Sequence, residues 1–263
     1  MKTNEQRGWN LGSAIRSGFG GVMELYHLLT RTLYYCVRGT REPGAIAAQM
    51  YAIGNRSFLF MNITMGFIGA IITYQSATQS QKLLPDLSML GASYIKLLVR
   101  DIAASVGAMP LATRVGAGIA AEIGSMVVTE QVDALRMTAA EPVDYLVVPR
   151  FIASVVMSTA VLICAGAAAL GSGMLVSHLM FGVSFRTFLN YDLVTWGDLA
   201  VGLIKCVAYG AAIAIVSSHR GLATFGGSQG VGQATTDAVV GSCFAIIVLN
   251  FFISTVSYVM LPA

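Results

Sequence analysis

Charge is what this sequence has least of: of 263 residues, 11% are Asp, Glu, Lys or Arg and 56% are hydrophobic, where a soluble domain carries about 25% charge. Mean hydropathy is +0.71. Too little polar surface exists to clothe a water-soluble fold, and no basic patch interleaved with aromatics points to nucleic acid. The four cysteines, Cys36, Cys164, Cys206 and Cys243, lie far apart without a CxxC, and His27, His178 and His219 are equally scattered. Neither a disulfide framework nor a metal site is indicated, so both residue types read as packing or interfacial groups. There is no GxxxxGK[ST], which excludes a self-contained P-loop ATPase, and no HExxH or GxSxG. Residues 116–121 loosely match a dinucleotide fingerprint, but they lie in an apolar helix with no strand before it and read as helix packing. The first 50 residues hold no uninterrupted apolar core followed by an A-x-A site, so the N-terminus is expected to be kept. Repeats of 20 to 50 residues and low-complexity linkers are also missing.

What is there is a series of long apolar runs. Residues 57–81 contain no Asp, Glu, Lys or Arg, and 25 residues at ~1.5 Å each cross a ~30 Å hydrocarbon core. This predicts a first span, turned back at Pro85 and Asp86. A second is expected over 93–123, a third within 151–185, a fourth over 199–218 interrupted by Lys205, and a fifth over 238–260. Upstream, Leu11, Ile15, Phe19, Val22, Tyr26, Leu29, Leu33 and Val37 recur in steps of three or four, the stripe of an amphipathic helix lying along a membrane surface. The fold class is therefore all-α integral membrane: residues 1–56 form a cytoplasmic N-terminus with an interfacial helix, and 57–263 one five-span bundle. Lys2, Arg7, Arg16, Arg31, Arg38, Arg41 and Arg56 precede the first span, and Arg136, Arg150 and Arg220 fall on the same side. Lys82 and Arg186 fall on the other. The positive-inside rule then predicts N-terminus in and C-terminus out.

Three features depart from a plain bundle. The second span carries Lys96, Arg100, Asp101 and Arg114 around Pro110, and each charge costs roughly 2.5 to 3.5 kcal/mol at bilayer depth. Arg100 and Asp101 point about 100° apart on a helix and so need other partners, with Lys205 and Asp198 as candidates. Such charges serve a substrate path or relay, or they stabilise the bundle. Gly116, Ala120 and Gly124 form a row along which another helix can approach closely. Between the second and third spans, residues 129–137 read as a short amphipathic helix with Thr129 as N-cap and Glu130 and Asp133 in its first turn. Pro142 keeps it from continuing, and Val132, Leu135 and Met137 offer an apolar face. It is either a solvated connection or an acidic docking element. Residues 221–232 are glycine-rich, suited to a tight turn more than to a phosphate because no lysine follows; Thr235 or Thr236 is placed to cap the last helix.

Two long motifs resemble one family. The run from Arg114 through Gly118, Glu122, Thr129, Glu130, Gln131, Asp133 and Leu135 to Arg150, and the run 221–240 with Gly226, Gly227, Gly230 and Gly232, are similar to the MlaE/YrbE permeases, the likeness covering about 45–260. The resemblance implies a homodimeric, non-catalytic permease subunit of an MCE-type ABC system in a bacterial inner membrane, moving phospholipid or related lipids. It implies a separate ATPase that holds ATP and Mg²⁺, a hexamer of MCE proteins, and in some systems a STAS-domain protein; no cofactor belongs to this chain. In the family the segment matching Thr129 to Leu135 is the coupling helix that seats in the ATPase. Arg114 and Glu122 would brace the second span, and Arg100, Asp101 and Lys205 would meet a lipid headgroup or form a relay. Two departures stand out: residues 102–110 lack a Leu-Gly-Pro turn, and Asn250 stands where an acid is common. The rival readings are an ion-coupled carrier that uses Arg100 and Asp101, and a membrane scaffold.

Overall fold

The computed structural model describes residues 11–39, 43–83, 89–139 and 141–260, with backbone alone at 11–19, 43 and 83. The turn expected at Pro85 and Asp86, the basic residues Lys2, Arg7 and Arg41, and the side chains of Leu11, Ile15, Arg16 and Phe19 lie outside the described residues. Among those described, every regular element is a helix: α1 (Leu11–Arg38), α2 (Pro43–Leu83), α3 (Leu90–Val128), α4 (Gln131–Met137), α5 (Val143–Phe181), α6 (Phe185–Phe188), α7 (Trp196–Leu222) and α8 (Gly227–Met260). Helices α2, α3, α5, α7 and α8 are the five long and apolar enough to cross a membrane.

The spans are longer than the uncharged runs suggest. At 39 residues, α3 and α5 reach about 58 Å, so their polar ends extend past the hydrocarbon. Helix α2 begins at Pro43, and residues 56 and 57 sit inside one unbroken helix. Proline at a helix start costs nothing, because the N–H it lacks has no partner there.

Small residues decide how closely the helices pack. Helices α2 and α5 run parallel along most of their length, Gly54 meeting Met157, Gly69 meeting Ala169 and Thr73 meeting Gly173. A Cβ on Gly69 would fall on the backbone of Ala169, and one turn away the Ser172 hydroxyl donates to the Gly66 carbonyl at 2.6 Å. In a membrane, with no hydrophobic drive between helices, such close contact and cross-helix hydrogen bonding supply the association. The predicted row on α3 behaves similarly: Gly116 faces Ser217 and Ser242, Ala120 is fully buried, and Gly124 faces Thr224. Helix α3 thus lies against α7 and α8, and the core gathers Met61, Met65, Leu111, Ile123, Leu162, Tyr209 and Ile246 from all five spans.

Wide π turns interrupt α3 at Leu98–Ile102 and Ala112–Gly116, and α5 opens with another at Val143–Val147. The second follows Pro110, and Pro149, just past the third, lacks the N–H that would bond back into it.

Helix α1 packs Leu25, Leu28, Leu29, Tyr35 and Cys36 against Val143, Val147, Phe151, Ala214 and Ile215. The Arg31–Glu141 pair at 3.0 Å and the His219–Glu24 contact at 3.0 Å flank this seam. From the predicted stripe, Val22, Tyr26, Leu33 and Val37 remain exposed on the other side. The helix therefore has two apolar faces, one tied to the bundle and one left bare.

Candidate functional site

One end of the bundle carries α1, α4 and the short turn between α7 and α8. Helix α3 ends at Val128, and Thr129 closes it: its hydroxyl donates to the Ser125 carbonyl at 2.8 Å. Thr129 is thus a C-terminal residue of the second span and not the N-cap of α4. That place belongs to Glu130, in the left-handed region at φ 59°, whose side chain makes no capping bond. Ala139, past the far end, has φ 59° too. Each such non-glycine residue costs roughly 1–2 kcal/mol, so α4 is a seven-residue helix held between two strained corners.

The face α4 shows differs from expectation. Val132 is buried and anchors the helix to its own bundle, Leu135 is half-buried, and Met137 is 90% exposed. Glu130, Gln131 and Asp133 are exposed, with Asp133 accepting from Arg136 at 3.1 Å. What α4 presents outward is polar, Asp133 paired with the equally exposed Arg136 and Glu130 at the corner adding a net negative charge, with Met137 as its apolar point. The helix ends at Met137, with Thr138 closing it, well before Pro142, and α5 begins at Val143.

The glycine-rich stretch is mostly helix. Only residues 223–226 connect α7 to α8, with Gly226 and Gly227 at φ 87° and 72°, values glycine adopts without strain. Gly230 and Gly232 lie within α8, so Thr235 and Thr236 do not cap it; both hydroxyls donate back to the Gly232 carbonyl.

About three turns into α3, the charges find partners. Arg100 Nη1 lies 3.0 Å from Asp198 Oδ1, Nη2 donates to Ser257 on α8 at 3.2 Å, and the guanidinium stacks over Tyr258 at 4.4 Å. Asp101 pairs with Lys205 Nζ at 2.5 Å, and Lys205 also donates to Ser254 at 2.8 Å. Asp198 and Lys205 are seven residues apart on α7, two turns along one face, so one helix supplies both counter-charges. The π turn at Leu98–Ile102 spreads the backbone where Arg100 and Asp101 reach for them. Lys205 is 1% exposed and Asp198 3%. Asp198 also accepts from the Thr195 amide and hydroxyl, which fixes the start of α7 as a capping box. Ser105 and Tyr209 extend the chain from Asp101, and Asn250 accepts from Ser254. Asn250 is thus a neutral member, and Asp198 supplies Arg100's negative partner.

A third cluster was not foreseen. Arg150, buried at the start of α5, donates to the Leu146 carbonyl at 2.6 Å and pairs with Glu122 at 2.8 Å; Gln49 on α2 touches the same carboxylate at 3.4 Å. A charge at a span boundary looks in sequence like a topology signal, and only packing shows that Arg150 points inward. Arg114 and Gly118 lie beside this knot and line a cavity of about 440 Å³ between α2 and α3.

The family model described as Permease MlaE matches residues 46–256. The chain belongs to the MlaE permease family. It is 34% identical over 238 residues to a probable ABC transporter permease protein of Synechocystis, covering 90% of each chain. A probable ABC transporter permease protein of Rickettsia typhi is 33% identical, across 80% of this chain and 81% of its own. The chloroplastic protein trigalactosyldiacylglycerol 1 of Arabidopsis thaliana is 31% identical over 79% of this chain and 59% of its own length. This MlaE permease is accordingly a multi-pass membrane protein and an ABC transporter permease, a class that works with an ATPase. The reading as an ion-coupled carrier gives way to that.

Proposed function

We propose that this permease moves phospholipids or related lipids between a bacterial inner membrane and the outer envelope, driven by a separate ATPase that grips α4. The observation that carries the proposal is α4 and its connection: a short, exposed helix between two left-handed corners, in a segment with Glu130, Asp133, Glu141 and Asp144 against Arg136 alone, on the end of the bundle where basic residues collect. Basic residues mark the cytoplasmic side, and an acidic segment there suits a basic groove on a soluble subunit. Its connections suit a lever. Past its far end, Glu141 pairs with Arg31 and ties in α1, and Val132 ties α4 to the bundle.

In this reading ATP and Mg²⁺ bind the partner, whose closure pushes α4 and squeezes a cavity formed by two copies of this chain. Helix α8 suits the dimer face, being the least buried span, with Val240, Phe244, Ile247 and Phe251 bare along it. Walls from α2, α3 and α8 would enclose the lipid and deliver it to an MCE hexamer outside; a STAS-domain protein fits as an accessory on the cytoplasmic side. The name of the Arabidopsis relative is that of a galactolipid, which favours a lipid cargo. Exchanging both Glu130 and Asp133 for lysine is expected to release the ATPase during purification while the permease stays folded. An unchanged complex would refute the role of α4.

A further inference from the structure

The cavity between α2 and α3 at the α4 end holds two arginines that nothing balances. Arg56 and Arg114 both line it, together with Gln49, Ser57, Ile53 and Ile119. Among the described residues, neither arginine has a carboxylate within ion-pair distance. The one acid in the lining, Glu122, is already held by Arg150. The cavity therefore carries uncompensated positive charge.

Depth argues for what it takes. Arg56 is the last charge before the 25 uncharged residues 57–81. On α3, Gly116 faces Ser242, about one turn inside Asp237, the last charge of α8. Arg114, half a turn from Gly116, shares that level. Both guanidinium groups thus stand where hydrocarbon gives way to headgroups. Beyond Arg56, Phe60, Ile63, Phe67, Ile71 and Tyr74 follow in steps of three or four, every one exposed. A cationic pocket continued by a bare apolar stripe has the shape of a phospholipid: phosphate at the arginines, acyl chain along α2.

We infer that Arg56 and Arg114 form a loading site for the phosphate of an anionic phospholipid in the leaflet on the α4 side. Guanidinium pairs hold phosphate oxygens through parallel hydrogen bonds, which lysine does less well. The inference rests on the lipid-transport reading for its purpose, whereas binding is measured without transport, so the two can fail separately.

The test places the purified permease in nanodiscs of phosphatidylglycerol diluted in phosphatidylcholine and counts retained lipids by native mass spectrometry. Arg56→Gln and Arg114→Gln should each lower retained phosphatidylglycerol about tenfold, the order of one charge-assisted hydrogen bond. The two lysine variants should keep part of it, which guards against a folding defect. Lys82→Gln, the same charge change at the other end of α2, should change nothing. The site is overturned if the double glutamine variant retains as much as the parent, or if Lys82→Gln lowers retention equally. Displacement by millimolar inorganic phosphate would assign the site to a free anion and overturn the lipid. Loss of the dimer with unchanged lipid would show that the arginines meet a second copy instead.

Discussion

Lys205 shows what a single residue can demand of a membrane bundle. A lysine that is 1% exposed survives only because Asp101 and Ser254 meet it. Removing one partner of a buried pair costs about 3–5 kcal/mol, whereas replacing both with apolar groups is often neutral. Asp101→Asn is therefore expected to lower thermal stability in detergent sharply, and adding Lys205→Met to restore most of it. A restored but transport-inactive double variant would assign the pair a role in moving cargo, beyond holding helices. The strained corner at Ala139 predicts the opposite sign: Ala139→Gly should raise stability by about 1 kcal/mol in the same assay, since glycine enters the left-handed region freely. Asp198 was legible as a partner for Arg100 because it was the nearest acid at a span edge. Its second task as the cap of α7 is marked in sequence only by Thr195, three residues before it.

At the scale of elements, the apolar runs located all five spans, the first, third and fifth as uncharged stretches of twenty or more residues that have no alternative in lipid, the second and fourth as apolar runs broken by a few charges. The helices run past the apolar stretches, since periodicity and charge mark where hydrocarbon stops and not where the helix does. Helix α2 starts at Pro43, well before residue 57, and glycines 230 and 232 continue α8 where a loop was expected. Gly230 leaves room for the Phe225 carbonyl of the adjoining turn and Gly232 has open space around it, so neither interrupts the helix. The π turns left no sequence mark beyond the prolines beside two of them. Close packing at Gly69 gives a prediction for the α2–α5 pair. Gly69→Val must push the Ala169 backbone away, so it should cost about 1–3 kcal/mol and weaken the fold in detergent, while Gly66→Ala, where nothing lies within reach of a new Cβ, should be tolerated. Equal melting temperatures for the two variants would contradict the packing described.

For the whole molecule, the distribution of Lys and Arg predicts that α4 faces the cytoplasm and the start of α7 the exterior. In a background without the native cysteines, Met137→Cys should react with a membrane-impermeant maleimide only after cells are opened, and Trp196→Cys in intact cells; both positions are well exposed. The reverse pattern would invert the topology and detach α4 from any cytoplasmic engine. Family membership and the five-span bundle follow from long motifs and hydropathy, but partners and cargo do not, because they depend on surfaces that a second chain completes. The most direct measurement is therefore lipid movement in proteoliposomes that hold this permease with its ATPase. ATP should drive labelled phospholipid across or out of the bilayer, and lysine at Glu130 and Asp133 should abolish that flux. Lipid flux that proceeds without ATP, or that persists at full rate in the lysine variant, would contradict the account.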